Sequence, residues 1–112
     1  MAELEVVFDE RAEHDVRVAV EWYENQQNGL GTQFVSVIDE SVERIQQFPR
    51  MFPTVMEGVR RALTKRFPYA VYFQVSESAL VVLAVLHNRQ DRELLDDRVA
   101  SERQAERNGA SE

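Results

Sequence analysis

The chain has 112 residues, 13 Lys plus Arg against 20 Asp plus Glu, a formal net charge of −7 and no cysteine. That length is one domain, and the missing cysteine removes disulfides, thiolate nucleophiles and Cys-based zinc sites. Two histidines, His14 and His87, cannot build a His-only metal centre, and the acidic total argues against coating nucleic acid through bulk positive charge.

Near Met1 no basic segment leads into an apolar one. The longest apolar run, 79–86, is far short of the ~18–20 residues of a membrane helix. The expectation is a cytoplasmic protein with no membrane association.

Leu4, Val6 and Phe8 alternate with Glu5 and Val7, the pattern of a short strand with one buried face. Asp9 is a good N-cap, and Ala12, Val16, Ala19, Val20 and Tyr23 recur at helical spacing as far as Gln27, where Asn28-Gly29 stops the helix. A second helix follows, with Thr32 as its expected cap. Phe34, Ile38, Val42 and Ile45 form its stripe and Pro49 its end. So short a link makes the two helices an antiparallel hairpin.

Beyond Pro49 the period changes. Pro49 and Pro53 bracket a loop, Glu57-Gly58 signals a turn, and three strands are expected over 59–65, 69–75 and 80–86. Their links are short enough for antiparallel hairpins. The last strand is apolar on both faces, which predicts a central position with cover on both sides, not necessarily from this chain. One or two helical turns are expected over 93–98. The expected organisation is one domain over 1–98 and a polar, flexible tail over 99–112. The order β-α-α-β-β-β makes an α+β fold, a helical hairpin packed on an antiparallel sheet.

The charge is unevenly distributed. Residues 1–43 carry 11 acids and 2 bases, net −9; residues 44–92 carry 8 bases and 3 acids, net +5; residues 93–112 are net −3. An acidic hairpin thus sits beside a basic sheet region in which Arg60, Arg61, Lys65 and Arg66 crowd together. Arg60 and Arg61, being adjacent, face opposite sides of their strand, and parity puts Arg61 with Lys65. The simplest reading of Trp22 and Tyr23 is core or hairpin packing, and of His14 a solvated helix residue.

Several segments resemble the RelE/ParE superfamily of bacterial toxins from type II toxin-antitoxin modules. They are Trp22-Tyr23-Glu24, Leu30-Gly31-Thr32-Gln33-Phe34, Pro49-Arg50-Met51-Phe52-Pro53, Val59-Arg60-Arg61-Ala62-Leu63, Arg66-Phe67-Pro68-Tyr69, and the run from Leu83 through His87-Asn88-Arg89 to Asp91. The resemblance implies a β-α-α-β-β-β fold and a small antitoxin that wraps the toxin. It offers two activities: ribosome-dependent mRNA cleavage in the RelE-like branch, and poisoning of DNA gyrase without nuclease activity in the ParE-like branch.

Cleaving RNA through its 2′-hydroxyl requires a base, an acid and cations at the phosphate. The nuclease branch places a Tyr-Arg pair at the start of the penultimate strand; here the matching pair is Tyr69-Ala70, so that cation is missing. Arg89 matches the second cation, but no Tyr or Lys follows Arg92. The expectation is therefore a ParE-like toxin that binds DNA gyrase and is neutralised by an antitoxin, with direct nucleic-acid binding only through the antitoxin. Its expected target- or antitoxin-facing residues are Arg60, Arg61, Lys65, Arg66, Tyr69, Tyr72, His87, Arg89 and Arg92. The alternatives are a metal-independent endoribonuclease using His87, Arg89 and Lys65, or a non-toxic homologue that only binds antitoxin. No cofactor or metal is expected. His87 reads first as the end of a buried strand and second as a general base.

Overall fold

The computed structural model describes residues 4–88 and 92–110, and for 92, 93, 102 and 105–110 the backbone alone. The first strand, β1 (Glu5–Phe8), leads through Asp9 into α1 (Glu10–Gln26). Asp9 caps the helix as its sequence position predicts: its Oδ1 accepts from the Arg11 backbone N–H at 2.9 Å.

The turn into α2 (Leu30–Gln47) is built differently from the sequence reading. Gly29, at φ 89°, is itself the N-cap, and the helix starts two residues before the expected Thr32 cap. The reason lies in Glu24, whose carboxylate accepts from the backbone N–H groups of Gly29 (2.9 Å) and Gly31 (3.0 Å). A side chain of the preceding helix thus satisfies donors that a Ser or Thr cap normally would. The hairpin also needs Gly31, since a Cβ there would lie 2.8 Å from the Val20 carbonyl oxygen of α1.

After a 3-10 turn at Pro49–Met51, the sheet has four further strands: β2 (Thr54–Met56), β3 (Val59–Leu63), β4 (Tyr69–Val75) and β5 (Ala79–His87). β2, read from sequence as loop, is three residues long and squeezed between Pro53 and the turn at Gly58, too short to show a period. The sheet order is β1-β5-β4-β3-β2. Consecutive strands pair antiparallel, whereas β1 pairs with β5 in parallel, Glu5 opposite Ala79 to Phe8 opposite Val82. The hairpin on an antiparallel sheet is therefore present, with one parallel edge strand added to it.

β5 explains its own composition. It lies between β1 and β4, and the pairing with β4 shifts register between Tyr72 and Phe73, so that Leu83 is an extra residue. This bulge sends both Leu83 and Ala84 to the same face, which lets the strand fill two cores. One core joins Leu80, Val82 and Val85 to Phe34, Ile38 and Ile45 of α2 and to Ala12 and Ala19 of α1. The other joins Leu83, Ala84 and Leu86 to Val59 and to Leu95 and Val99.

Leu95 and Val99 belong to α3 (Arg92–Ala110), a 19-residue helix that runs on through the stretch read as one or two turns and a polar tail. The second face of β5 is thus covered by this chain itself. Among the described residues no helix is long and apolar enough to cross a membrane.

Candidate functional site

The expected site residues divide between the two faces of the sheet. Arg60 stands opposite Thr54 and Phe73, and its Nη1 donates to the carbonyls of Phe52 (2.6 Å) and Arg50 (3.3 Å). Its guanidinium thereby ties down the 3-10 turn. Arg61 pairs with Tyr72, which packs on the α3 side, so the two arginines do face opposite ways. The Nε of Arg61 is buried and has no hydrogen-bond partner among the described residues.

Lys65 does not join Arg61, because β3 ends at Leu63 and the alternation stops before Lys65. Lys65 instead lines a cavity of about 310 Å³ with Glu40, Glu43, Arg44 and Gln47 of α2. Arg66 is exposed and has φ 68°. The Phe67 N–H donates to the Lys65 carbonyl across it at 2.7 Å, a γ-turn that is strained for a residue with a side chain. This turn drives Phe67 into the aromatic core, and the Thr64 hydroxyl braces it by donating to the Phe67 carbonyl at 2.8 Å.

Tyr69 and His87 are cross-strand partners on the face that carries the helical hairpin. Their rings lie 5.4 Å apart at 74°. Tyr69 also meets Tyr23 (6.1 Å, 62°) and Phe34 (4.9 Å, 73°). Burial, then the neighbouring Tyr23 and Asp15, hold the Tyr69 phenol above its ordinary range, and burial does the same to Tyr23. Both are uncharged hydrogen-bonding groups at neutral pH.

Of the expected nuclease set His87, Arg89 and Lys65, the described residues include His87 and Lys65. Lys65 and His87 line different cavities with no residue in common. Arg89 lies outside the described residues, and the side chain of Arg92 is likewise undescribed. Ala70, where the resemblance expects a catalytic cation, is 1% exposed and stands opposite Leu86. Among the described residues no group of three or more His, Asp or Glu is placed to hold a metal.

Two features escaped the sequence reading. One is a buried ion pair: the Asp15 carboxylate takes both terminal nitrogens of Arg98, with Nη2 to Oδ1 at 2.8 Å, and accepts from the Val85 backbone N–H at 3.0 Å. The side chains are 11% and 10% exposed. β1 stops at Phe8 opposite Val82, leaving that edge of β5 without a strand partner among the described residues from Leu83 onward. Asp15 and Arg98 take the place of that strand, and Arg98 also reaches the Leu83 carbonyl at 3.5 Å. No short-range pattern could have paired residues 83 positions apart, although Leu95 and Val99 flanking Arg98 are a helical signal. The other is Trp22, which is 58% exposed rather than packed in the core.

Comparisons with known proteins agree with this architecture. A sequence profile of the family described as "ParE toxin of type II toxin-antitoxin system, parDE" matches residues 6–92. Among solved structures, the chain is similar to one titled "Chromosomal ParDE TA system from P. aeruginosa". The two share 20% identity with a TM-score of 0.68, over 76% of this chain and 96% of that one. No curated protein sequence matches.

The fold is thus that of a small α+β toxin. The chain belongs to the ParE toxin family of type II toxin-antitoxin systems. The family match ends at Arg92, where α3 begins.

Proposed function

We propose that the chain is a ParE-like toxin that arrests growth by binding DNA gyrase, without nuclease activity, and is neutralised by a cognate antitoxin. The observation that carries the non-catalytic part is Ala70. The position at which a nuclease of this superfamily would present a cation holds a buried methyl group next to Leu86. A methyl group offers a phosphate no charge at that position, which supports the non-catalytic reading. Lys65 and His87 line separate cavities, which favours the same reading.

For the antitoxin, the supporting features are cations on the sheet side of the molecule. Arg61 is half-buried beside Tyr72, and a guanidinium suits a carboxylate. Lys65 and Arg66 are exposed in the turn before β4, Lys65 toward α2 rather than beside Arg61. Arg60 is already engaged with two carbonyls and contributes shape more than charge.

Controlled expression in a bacterium tests the proposal. Filamentation with a DNA-damage response and intact mRNA is the expected outcome, relieved by co-expression of a small upstream gene product. Rapid translation arrest with cut mRNA would overturn it, and no growth defect would favour the non-toxic homologue.

A further inference from the structure

Beside the ion pair, α1 turns an uncovered face toward the start of β4 and the end of β5. A cavity of about 320 Å³ lies there, lined by Val18, Ala19, Trp22, Tyr23, Tyr69 and His87. Four of the six are aromatic, and their rings meet at steep angles. Trp22 stands at 86° to Tyr23 (5.0 Å), Tyr23 at 62° to Tyr69, and Tyr69 at 74° to His87. Walls of this kind offer ring faces in several directions, the arrangement that holds an organic cation by its attraction to aromatic quadrupoles.

Two further observations favour a cation over a plain apolar group. None of the described Arg or Lys side chains lines the cavity. Four of the six lining residues lie on α1, in the acidic part of the chain, net −9 over residues 1–43, and Tyr69 and His87 lie in the basic part.

The occupant is better a side chain of a polypeptide than a free small cation. A second cavity of about 220 Å³, lined by His14, Asp15 and Val85, shares Val18, Ala19 and Tyr69 with the first. The two run on along α1 from His14 to Trp22, about 12 Å of helix at ~1.5 Å per residue. That is room for the residues flanking an inserted side chain. Trp22 and Val18, 58% and 51% exposed, stand at the rim ready to be covered.

We infer that this aromatic cavity receives an arginine or lysine side chain of a partner polypeptide, a docking point separate from the cationic sheet region. The inference does not rest on the toxin reading, because it is tested on the purified chain with free probes. Trp22 is the only tryptophan, so its emission reports on the cavity directly. N-acetyl-arginine amide should change that emission saturably, and the uncharged N-acetyl-citrulline amide should bind at least about fivefold more weakly. Val18→Lys puts a cation on an exposed wall, and should abolish the arginine response while the thermal melt is kept.

Equal binding of the citrulline probe would overturn the inference. So would tighter binding of N-acetyl-phenylalanine amide, which would make the site an apolar one. Preference for adenosine monophosphate would overturn it in favour of base stacking. An arginine response that survives Val18→Lys, or no response to any probe, would also overturn it.

Discussion

On the hairpin side, the sheet is closed by aliphatic and aromatic packing. Phe34, Tyr23, Phe67 and Tyr69 interlock there over a floor of Val71, Phe73, Leu80 and Val82. On the α3 side, the cover among the described residues is two aliphatic side chains, Leu95 and Val99, pinned by the ion pair of Arg98 with Asp15 and by an Arg103 bond to the Glu57 carbonyl. The hairpin face draws on non-directional burial, which tolerates small displacements. The α3 face draws on a geometry-dependent pair whose loss leaves a charge behind. The contrast also follows the family match, which spans the hairpin and sheet and stops where α3 begins.

Four substitutions or titrations test this contrast. Phe34→Ala should cost the most, about 3–5 kcal/mol in urea unfolding, since Phe34 is wholly buried among three other rings. Asp15→Ala should cost about 3 kcal/mol, as expected for breaking a buried pair. It should also speed hydrogen exchange at the Val85 amide and in α3, and Asp15→Ala combined with Arg98→Met should recover part of the loss. Unchanged exchange in α3 would mean that the pair does not hold the helix.

Glu24→Ala should cost about 1 kcal/mol, the worth of a helix cap. That loss should be confined to the hairpin, leaving α3 exchange as before, as read from amide protection at Gly29 and Gly31. The smallest effect is alkaline. Tyr23 and Tyr69 have folded values raised above 10.0. The stability they contribute is therefore fully present below about pH 10 and is lost as pH rises through their folded values. Ultraviolet difference titration of the wild type against Tyr69→Phe should show the Tyr69 phenol ionising late; ionisation at or below the ordinary tyrosine range would contradict its burial.

The hairpin side was largely legible in the sequence. Ala12, Val16 and Ala19 repeat at helical spacing, and β4 falls on the residues read as the middle strand. The double apolarity of β5 correctly placed it between neighbours with cover on both faces. What could not be read was long-range or too brief for a period: the parallel pairing of β1 with β5, the three-residue β2, and the Asp15–Arg98 pair. α3 was hidden because its described apolar contacts to the sheet come from so few side chains in a polar segment.

Site legibility was similarly divided. Composition separated an acidic hairpin from a basic sheet region, and the missing cation at position 70 proved to be a buried alanine. Which basic side chains carry backbone contacts could not be read, because the Arg60 bonds to the Arg50 and Phe52 carbonyls depend on how the 3-10 turn folds over β3. Nor could the exposure of Trp22, since a tryptophan at helical spacing beside Tyr23 reads equally as core.

Toxicity by binding rather than by RNA cleavage is the proposed activity. Its most direct test adds the purified chain to a DNA gyrase supercoiling reaction and to a reconstituted translation reaction followed by primer extension. The expected result is inhibited supercoiling with mRNA left intact. Undisturbed gyrase together with mRNA cut on the ribosome, and loss of that cutting in His87→Ala, would contradict it.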